Sequence, residues 1–459
     1  MHDECGIIGI YAPGRKDTAR SVYFGLHALQ HRGQDSAGIA ANDRGKIQYY
    51  KDRGLVQEVF NDDIIDRLKG DIMIGHVRYP AGGDTQVVNA MPLVVYYKGG
   101  ELALANNGSL VNGQLLREEM QESGILFQTS IDSEIIAVLI AKHLKERPIE
   151  EAILLTLDAI KGAYALVMTA QQKLIGIRDP NGLRPLCIGK IKDGFVLSSE
   201  SCPFSLIEAK HIRDVEPGEM VIIEDNEIKS YKFDKKAKMA SCSFEYAYIA
   251  RPDSNIDKRN VYMARSLCGK ILAKEAPVDA DIVISVPDSG TVAAIGYAEE
   301  SGVPYGEGFI KNRYIGRVFI QPNQRMRELS VRLKLNVIAD NVKGKRIVMV
   351  DDSIVRGTTS IKIVEMLREA GAKEVHMRVA SPPVTDPCFF GIDTPTKDEL
   401  IAAVKSHEEI CEMLGTDSLA FLSIEGMREA IALGDNLCFA CFDGKYPMDV
   451  PGYCGKQGK

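Results

Sequence analysis

The chain has 459 residues, of which 45% are hydrophobic and 26% are charged, and its formal net charge is -7 at pH 7. Since this length exceeds what one ordinary hydrophobic core accommodates, two or more domains are expected. The acidic balance argues against a general nucleic-acid-binding or membrane-surface protein, and the sequence contains neither a signal-type stretch nor eighteen consecutive apolar residues.

The N-terminal region places a cysteine before a predicted buried strand. Cys5 precedes the apolar run 6–11, and apolar residues spaced along 19–29 predict a helix that ends before His31. A cysteine in this position is commonly a small core residue. Ten cysteines without a secretion segment favour thiols, metal ligands or a nucleophile over a disulfide framework, so we expect a cytoplasmic protein.

Four polar strings follow in the first half of the chain: QHRGQDSAGI (30–39), GHVRYPAGG (75–83), ANNGSL (105–110) and SIDSE (130–134). Together with Cys5-Gly6-Ile7, they resemble the glutaminase domain of N-terminal-nucleophile amidotransferases. The resemblance implies an α+β four-layer sandwich of the N-terminal-nucleophile (Ntn) hydrolase type. It also implies that the Cys5 thiolate attacks the side-chain amide of glutamine.

The resemblance assigns roles to four further residues. Arg78 would pair with the α-carboxylate of glutamine and Asp132 with its α-ammonium. The side-chain N–H of Asn107 and the backbone N–H of Gly108 would hold the oxyanion of the tetrahedral intermediate. Taken singly, Arg78 and Asp132 could instead be structural ion-pair partners, and Asn107-Gly108 could form a type I′ turn.

The implied mechanism uses the free α-amine of Cys5 as general base, but here the Glu4–Cys5 peptide bond would occupy that amine. We therefore expect Met1 to Glu4 to be a leader that is cleaved off. The alternatives are a mis-set start or an uncut leader, with a neighbouring group or water serving as base.

The remainder of the first half is predicted to be scaffold. Helices are expected near 135–143 and 149–160, and strands at 163–168, 173–177 and 220–223. The string IRDPNGLRPL from Ile177 is expected to be structural. Beyond residue 223 the sequence becomes lysine-rich and loses its periodicity. We therefore place the domain boundary near Phe233, with a leader at 1–4, a glutaminase domain at 5–233 and a second domain at 234–459.

The second half begins with a predicted helix after CSFEY and ARPDS, followed by the string DIVISVPDSG. Residues 282–286 of that string predict a buried strand that ends in Pro-Asp-Ser-Gly. A strand end followed by a hydroxyl, a glycine and a helix start can bind pyrophosphate. Taken alone, a string such as Pro-Asp-Ser-Gly is also common in ordinary turns.

A basic segment lies between Lys311 and Lys334, with five arginines and a single acid, Glu328; the arginines are Arg313, Arg317, Arg325, Arg327 and Arg332. Such a run is usually a solvated face. Its position between two candidate phosphate sites favours a mobile lid over a polyanion, with Lys311 and Arg313 as binding residues.

The string IVMVDDSIVRGTTS (347–360) combines a buried strand, two acids and a hydroxyl-rich helix start. Backbone N–H groups and hydroxyls there can cradle a phosphate, and adjacent carboxylates can hold sugar hydroxyls or Mg²⁺. The string resembles the phosphoribosyl diphosphate (PRPP) loop of type I phosphoribosyltransferases, which have an α/β fold. The alternative is a turn whose acids only cap a helix. The predicted PRPP ligands here are Asp351, Asp352, Ser353, Arg356, Gly357, Thr358 and Thr359, and the predicted Mg²⁺ ligands are Ser289, Asp351 and Asp352.

Cys438 and Cys441 form a Cys-x-x-Cys pair, with Cys242 and Cys388 isolated upstream and Cys411 and Cys454 as competitors. From spacing alone, zinc, an iron–sulfur cluster, a redox pair and buried thiols all remain open.

Nearly the whole chain resembles the glutamine phosphoribosylpyrophosphate amidotransferase family. In members that carry a [4Fe-4S] cluster, the ligand contexts match four residues of this chain: Cys242, Cys388, Cys438 and Cys441. The other cysteines are then structural: Cys187, Cys202, Cys268, Cys411 and Cys454.

The family resemblance implies that glutamine is hydrolysed to glutamate and that the ammonia travels internally to C1 of PRPP. The products would be 5-phosphoribosylamine and pyrophosphate, in the committing step of de novo purine synthesis. It also implies purine nucleotides as feedback inhibitors and a homo-oligomer, a tetramer in the family. One rival is a glutamine-dependent sugar-phosphate aminotransferase, against which the PRPP loop argues. Another is a purine-sensing DNA-binding regulator, against which the acidic balance argues.

Overall fold

A computed structural model describes residues 5–79, 85–234, 237–312, 334–394 and 396–451. The expected leader, Arg313 with the other arginines of the basic segment, and Cys454 lie outside these ranges. The predictions made for them therefore stay predictions.

A seven-stranded antiparallel sheet carries Cys5 at its centre. Cys5 directly precedes the central strand, which pairs on both sides with other strands and is buried along its whole length. In spatial order the strands are Lys210–Asp214, Cys187–Ile191, Gly194–Ser198, Gly6–Tyr11, Ile72–Arg78, Ser36–Asp43 and Lys46–Arg53.

A second, six-stranded antiparallel sheet packs face to face on the first. Ile7 of the first sheet and Ala103 and Val167 of the second share one apolar layer between them. A methyl group on Gly9 would lie only 2.5 Å from Val167 Cγ1, so the sheets approach most closely where the side chain is absent. In spatial order the strands are Glu227–Lys232, Glu219–Glu224, Lys173–Arg178, Gly162–Ala170, Gly100–Leu110 and Leu93–Tyr97.

Helices cover the outer face of each sheet, which completes a helix–sheet–sheet–helix sandwich. Thr18–Ala28 buries Val22 and Leu26 against the first sheet, because these residues recur on one face of the helix. Asp132–His143 and Ile149–Ala159 cover the second sheet in the same way. The other helices of this half are Gln30–Arg32, Val56–Val59, Asp62–Arg67, Val87–Asn89 and Gly113–Glu122.

The predicted helices and strands of the first half are present, with ends that differ by at most three residues. No strand was predicted in the lysine-rich stretch, but Glu227–Lys232 forms an edge strand paired with Glu219–Glu224. An edge strand has one free side and a solvated face, so it needs no strong apolar alternation, and its lysines discourage edge-to-edge association.

The second half contains a four-stranded parallel sheet, in the order Ile282–Ser285, Arg346–Asp351, Glu374–Val379 and Ser418–Phe421. Ile347 and Met349 lie in the core on one face, and Val348 and Val350 in the core on the other. This explains the unbroken apolar run of the sequence. The helices are Val261–Glu275, Thr291–Ser301, Ala339–Val342, Thr358–Glu369, Lys397–Glu399, Ile401–Val404, His407–Leu414, Ile424–Ile431 and Ala440–Asp443, with the π-helical turn Glu245–Ile249.

The described residues of the second half also form three two-stranded sheets: Ser241–Cys242 with Leu437–Cys438, Asn255–Ile256 with Arg259–Asn260, and Phe309–Lys311 with Leu335–Val337. Within the described ranges, no helix is long and apolar enough to cross a membrane.

A buried ion pair joins the two halves. The Arg178 guanidinium donates to both carboxylate oxygens of Asp257, at 2.7 and 2.9 Å, and Ser241 donates to the same carboxylate. Burial alone would raise the pKa of Asp257, but Arg178 and Ser241 outweigh it and the pKa is lowered. The neighbouring Asp179 accepts backbone N–H groups of its own turn, which supports the structural role expected for IRDPNGLRPL.

We expect Asp257→Asn to lower the free energy of unfolding by about 3–5 kcal/mol at neutral pH, because it leaves the Arg178 charge buried without its counterion. The pKa of Asp257 is lower in the folded protein than in the unfolded chain. The ion pair therefore stabilises the fold fully at pH values above the unfolded-state pKa, and this stabilisation is lost as pH falls through the folded-state pKa. The difference between variant and parent should therefore shrink in acid.

Urea unfolding followed by circular dichroism at several pH values measures this difference. Glu151→Gln is the matched control, because Glu151 pairs with Arg147 at an exposed helical position and should change stability by less than about 0.5 kcal/mol. Equal effects of the two substitutions would contradict a stabilising role for the buried pair.

Candidate functional site

The Cys5 thiol lies where two strands of the first sheet end together. Gly6 pairs with Val77, so Cys5 lies beside Arg78, and its Sγ is 3.9 Å from the carbonyl oxygen of Tyr79. Burial raises the pKa of Cys5, whereas the Tyr79 contact and the charges of Arg78 and Arg32 act to lower it. Burial outweighs these contributions and the pKa of Cys5 is raised, so attack by the thiolate requires a base that accepts the thiol proton.

Arg32 is the residue that the sequence interpretation missed. Its side chain is fully buried, and its Nε donates to the carbonyl oxygen of Cys5 at 3.1 Å. The next residue, Gly33, lies against the strand Ile72–Arg78, where a methyl group would be 2.6 Å from the Arg78 nitrogen. The string QHRG was noticed in the sequence, but nothing in it indicated which residue its arginine contacts.

Asn107 and Gly108 lie inside the strand Gly100–Leu110, so the alternative of a type I′ turn is wrong. Asn107 is 1% exposed, and its Nδ2 has no hydrogen-bond partner among the described residues. Gly108 has a φ of +136°, and a methyl group there would lie 2.1 Å from the carbonyl oxygen of Ala163. A buried amide nitrogen without a partner is costly unless a ligand satisfies it.

Asp132 lies beside this pair. It begins the helix Asp132–His143, and its carboxylate accepts from Leu110 N at 2.8 Å and from Ser109 Oγ at 3.1 Å. Burial raises its pKa despite these hydrogen bonds. A cationic partner such as an ammonium group would reverse that shift.

His76 links the two sheets at this site. It pairs with Ile7 in the first sheet, and its Nε2 lies 3.1 Å from the carbonyl oxygen of Asn106 in the second. Burial lowers the pKa of His76 to about 3, so the ring is neutral at physiological pH. The predicted glutaminase residues Cys5, Arg78, Asn107, Gly108 and Asp132 therefore occupy neighbouring ends of strands and a helix around one link between the sheets.

The second candidate site lies at the carboxyl end of the parallel sheet, where open α/β sheets bind ligands. Asp352 accepts a hydrogen bond from Ser289 Oγ, and one from Ser353 Oγ at 2.6 Å. Burial and the adjacent Asp352 raise the pKa of Asp351 well above its ordinary value. The predicted Mg²⁺ ligands thus lie together, and a cation between them would relieve the repulsion.

The loop after Asp352 leads to the helix Thr358–Glu369. Gly357 precedes this helix with a φ of +75°, and Thr358 and Thr359 form its first turn, whose N–H groups are not used within the helix. Two other predicted ligands are bound to acids in this structure. Arg356 contacts Glu399 at 3.1 Å, and Lys311 contacts Asp288 at 2.6 Å beside the Pro-Asp-Ser-Gly turn.

The four predicted cluster cysteines line one small cavity, together with Arg184, Phe390 and Tyr446. Cys242 and Cys438 are direct partners in a two-stranded parallel sheet. Burial raises the pKa of each of these two thiols to about 12, and burial together with the other three cysteines raises the pKa of Cys441 well above its ordinary value. The arrangement fits a group that is bound by thiolates and whose positive charge would reverse these shifts.

A further set of metal-ligating atoms was not predicted. Ligand atoms of Cys187, His211 and Asp214 lie within 4.8 Å of one another. Cys187 opposes Asp214 on the neighbouring strand, His211 opposes Gly189, and the register shifts between His211 and Arg213. The sequence interpretation treated Cys187 as structural, and its thiol also donates to the carbonyl oxygen of Ser198 at 3.3 Å.

Two domain families match the chain: a glutamine amidotransferase domain at residues 84–205 and a phosphoribosyl transferase domain at residues 257–381. The amidophosphoribosyltransferase of Archaeoglobus fulgidus is 52% identical over 98% of this chain and 99% of its own. That of Bacillus subtilis is 49% identical over 98% and 95%, respectively.

Two solved structures also match closely. The glutamine PRPP amidotransferase of B. subtilis, complexed with ADP and GMP, has a TM-score of 0.92 and 49% identity, covering 97% of this chain and 98% of its own. A structure described as the allosteric regulatory enzyme of purine biosynthesis has the same TM-score and identity, and each chain covers 97% of the other.

The raised pKa of Asp351 predicts how Mg²⁺ binding depends on pH. Because this pKa is higher in the folded protein than in the unfolded chain, ionisation of Asp351 lowers stability as pH rises through the folded value. A bound cation would offset that loss. We therefore expect Mg²⁺ to raise the thermal unfolding midpoint more at pH 8 than at pH 5.

Thermal unfolding with and without Mg²⁺ measures this dependence. Asp351→Asn should remove most of the pH dependence, whereas Asp340→Asn, at an exposed position of the same domain, should keep it. An Mg²⁺ effect that is independent of pH in the parent protein would remove Asp351 from the cation site.

Proposed function

Because the chain belongs to the amidophosphoribosyltransferase family, we propose that its two candidate sites carry out that family's reaction one after the other. The enzyme transfers the amide nitrogen of glutamine to PRPP, and it forms 5-phosphoribosylamine, glutamate and pyrophosphate in the first step of purine biosynthesis. The predicted fold, an Ntn-type amidotransferase domain followed by a phosphoribosyltransferase domain, is confirmed. The assignment of roles to individual residues is the proposal.

In the first step, the Cys5 thiolate attacks the side-chain amide carbon of glutamine. Arg78 binds the α-carboxylate and Asp132 the α-ammonium, which orients the amide toward the sulfur. The observation that carries this assignment is the buried Asn107 Nδ2, which has no partner among the described residues and lies next to Gly108. These two N–H donors stabilise the oxyanion of the tetrahedral intermediate.

The intermediate collapses with departure of ammonia and leaves a thioester on Cys5. Water then hydrolyses the thioester and releases glutamate. The α-amine of Cys5 is the proposed proton carrier, so this step depends on the expected removal of Met1 to Glu4. The ammonia passes internally to the second site; in support, a charged network joins Arg32, which holds Cys5, directly to Glu245 of the second domain.

In the second step, ammonia displaces pyrophosphate from C1 of PRPP. Asp351 and Asp352 bind the ribose hydroxyls, and Ser353, Gly357, Thr358 and Thr359 surround the 5-phosphate with N–H and hydroxyl donors. Together with Ser289, the two acids would hold Mg²⁺, which supplies positive charge to the departing pyrophosphate when it is bound. Lys311 and Arg313 add cationic side chains, and Arg356 must leave Glu399 to take part.

Cys242, Cys388, Cys438 and Cys441 are the proposed ligands of a [4Fe-4S] cluster. Their common cavity and the pairing of Cys242 with Cys438 support this assignment. Among the described residues, the ligand atoms close enough to share a single ion are those of Cys187, His211 and Asp214. The sulfur atoms of the four cluster cysteines are not in that group. A cube of iron and sulfide holds its ligand sulfurs farther apart than a single zinc ion does, so the cluster is favoured over zinc.

Regulation and assembly extend the proposal. Purine nucleotides are the proposed feedback inhibitors, supported by the B. subtilis relative, which was solved in complex with ADP and GMP. A homo-oligomer, a tetramer by family resemblance, is also proposed. A cytoplasmic location is also proposed, and it agrees with the nine described cysteines, none of which forms a disulfide.

We expect Cys5→Ala to lower glutamine-dependent product formation by about 10³-fold or more, because the nucleophile is lost. Synthesis from ammonium salts should continue, since the second site is separate. Phosphoribosylamine formation assayed with either nitrogen source measures both activities, and Cys411→Ala is the control. Equal loss of both activities would make Cys5 a structural residue.

Cys438→Ser should remove most of the iron and lower the thermal unfolding midpoint, because metal-site binding energy is also folding energy. Iron and sulfide analysis and the visible absorption spectrum measure the cluster, and Cys411→Ser should keep both. A colourless parent protein that holds stoichiometric zinc would overturn the cluster assignment.

A further inference from the structure

One loop of the second domain reaches the glutaminase site. Gly391, in the segment between Cys388 and Thr394, lies against Gly108 of the first domain. A methyl group on Gly391 would be 3.1 Å from Gly108 Cα and 3.4 Å from its carbonyl carbon. It would also lie 3.6 Å from the nitrogen of Ser109. The backbone of the second domain therefore packs directly on the residue proposed to bind the oxyanion.

Gly108 is confined from the neighbouring strand as well. A methyl group on Gly108 would meet the carbonyl oxygen of Ala163 at 2.1 Å and Tyr164 Cα at 3.0 Å. Its φ of +136° is a conformation that only glycine adopts readily. Gly108 is thus enclosed between the strand Gly162–Ala170 and Gly391, and its peptide plane has little freedom to rotate.

The loop that carries Gly391 is itself firmly held. Arg184 Nε donates to the carbonyl oxygen of Phe390 at 2.9 Å, and the Cys388 N–H donates to Thr394 Oγ1 at 2.7 Å. The Phe390 side chain is 1% exposed and packs in one core cluster with Ala163 and Leu183. Phe390 therefore belongs to the same core cluster as Ala163, the residue whose carbonyl oxygen confines Gly108.

We propose that Gly391 is a positioning residue for glutamine hydrolysis, which acts by fixing the Gly108 N–H where the oxyanion forms. This inference rests on the proposed role of Gly108 in the first site. It implies that the glutaminase site is complete only when the second domain is docked. Since loss of one oxyanion donor costs about 10²–10³ in kcat, even partial misalignment of Gly108 has a measurable effect.

Gly391→Ala tests the contact. We expect kcat for glutamine hydrolysis to fall by about tenfold or more, with KM for glutamine changed less than about twofold, because the donor acts mainly on the transition state. Synthesis from ammonium salts and the iron content should stay at the parent level. Gly415→Ala is the control for substitution of a glycine with positive φ: its φ is +70°, against +116° at Gly391, and a methyl group there has no neighbour within 4 Å, so both activities should persist.

A second readout reports on the oxyanion site itself. The glutamine-derived aldehyde, glutamate γ-semialdehyde, forms a hemithioacetal with Cys5, and its oxygen takes the oxyanion position. Its inhibition constant should rise by the same factor as kcat falls. Phe390→Leu loosens the loop without adding a group next to Gly108, so it should also lower kcat for glutamine hydrolysis and raise the inhibition constant of the aldehyde. If Gly391→Ala does not fold, Phe390→Leu serves as the test of the loop contact.

Two results would overturn the inference: parental kcat and aldehyde affinity in the folded loop variants, or equal loss of the glutamine- and ammonia-dependent activities. Asn107→Ala separates this failure from failure of the proposed site. If Asn107→Ala keeps full glutamine hydrolysis, the oxyanion assignment itself is wrong. If it is impaired while the loop variants are not, only the role of Gly391 is rejected.

Discussion

The buried guanidinium of Arg32 holds the molecule together at its nucleophile. It binds Glu200 and Glu245, each at 2.6 Å, while its Nε holds the carbonyl oxygen of Cys5. Burial alone would raise the pKa of Glu200, but His31 and Arg32 outweigh it and the pKa is lowered. Removal of one buried charge would leave the others uncompensated, so substitution of any single member of this cluster should destabilise the protein. Glu200 belongs to the first domain and Glu245 to the second, so the placement of Cys5 depends on both.

Acids at the two candidate sites differ from these structural acids in how their charge is compensated. Glu200 and Asp257 have arginine partners, and the pKa of each is lowered. Asp351 is buried and Asp132 is half-buried, and the pKa of each is raised. A buried carboxylate whose charge the protein does not compensate is suited to a cationic ligand, here an ammonium group or Mg²⁺. Among these four acids, the direction of the pKa shift follows whether an arginine binds the carboxylate directly.

Several features of the sites could be predicted from sequence because they are local. The apolar run at 347–350 predicts a strand buried on both faces. The polar residues that follow must then lie at the carboxyl end of the sheet, where ligands bind. The strings around Arg78, Asn107 and Asp132 identified their residues through family resemblance. Arg32 was missed because its carboxylate partners lie 168 and 213 residues away, and no local pattern connects them. The strand Glu227–Lys232 was missed because an edge strand lacks a strong apolar alternation.

The sequence by itself indicated the two domain types, many of the elements and the candidate residues of both sites, since each depends on periodicity or on a short string. Only the tertiary structure decided which buried charges compensate one another, that Asn107 Nδ2 has no partner among the described residues, and that Gly391 lies on Gly108. These facts depend on the distance between residues far apart in the chain. Such distances are set by how sheets and domains pack, and a linear pattern of side chains carries no information about them.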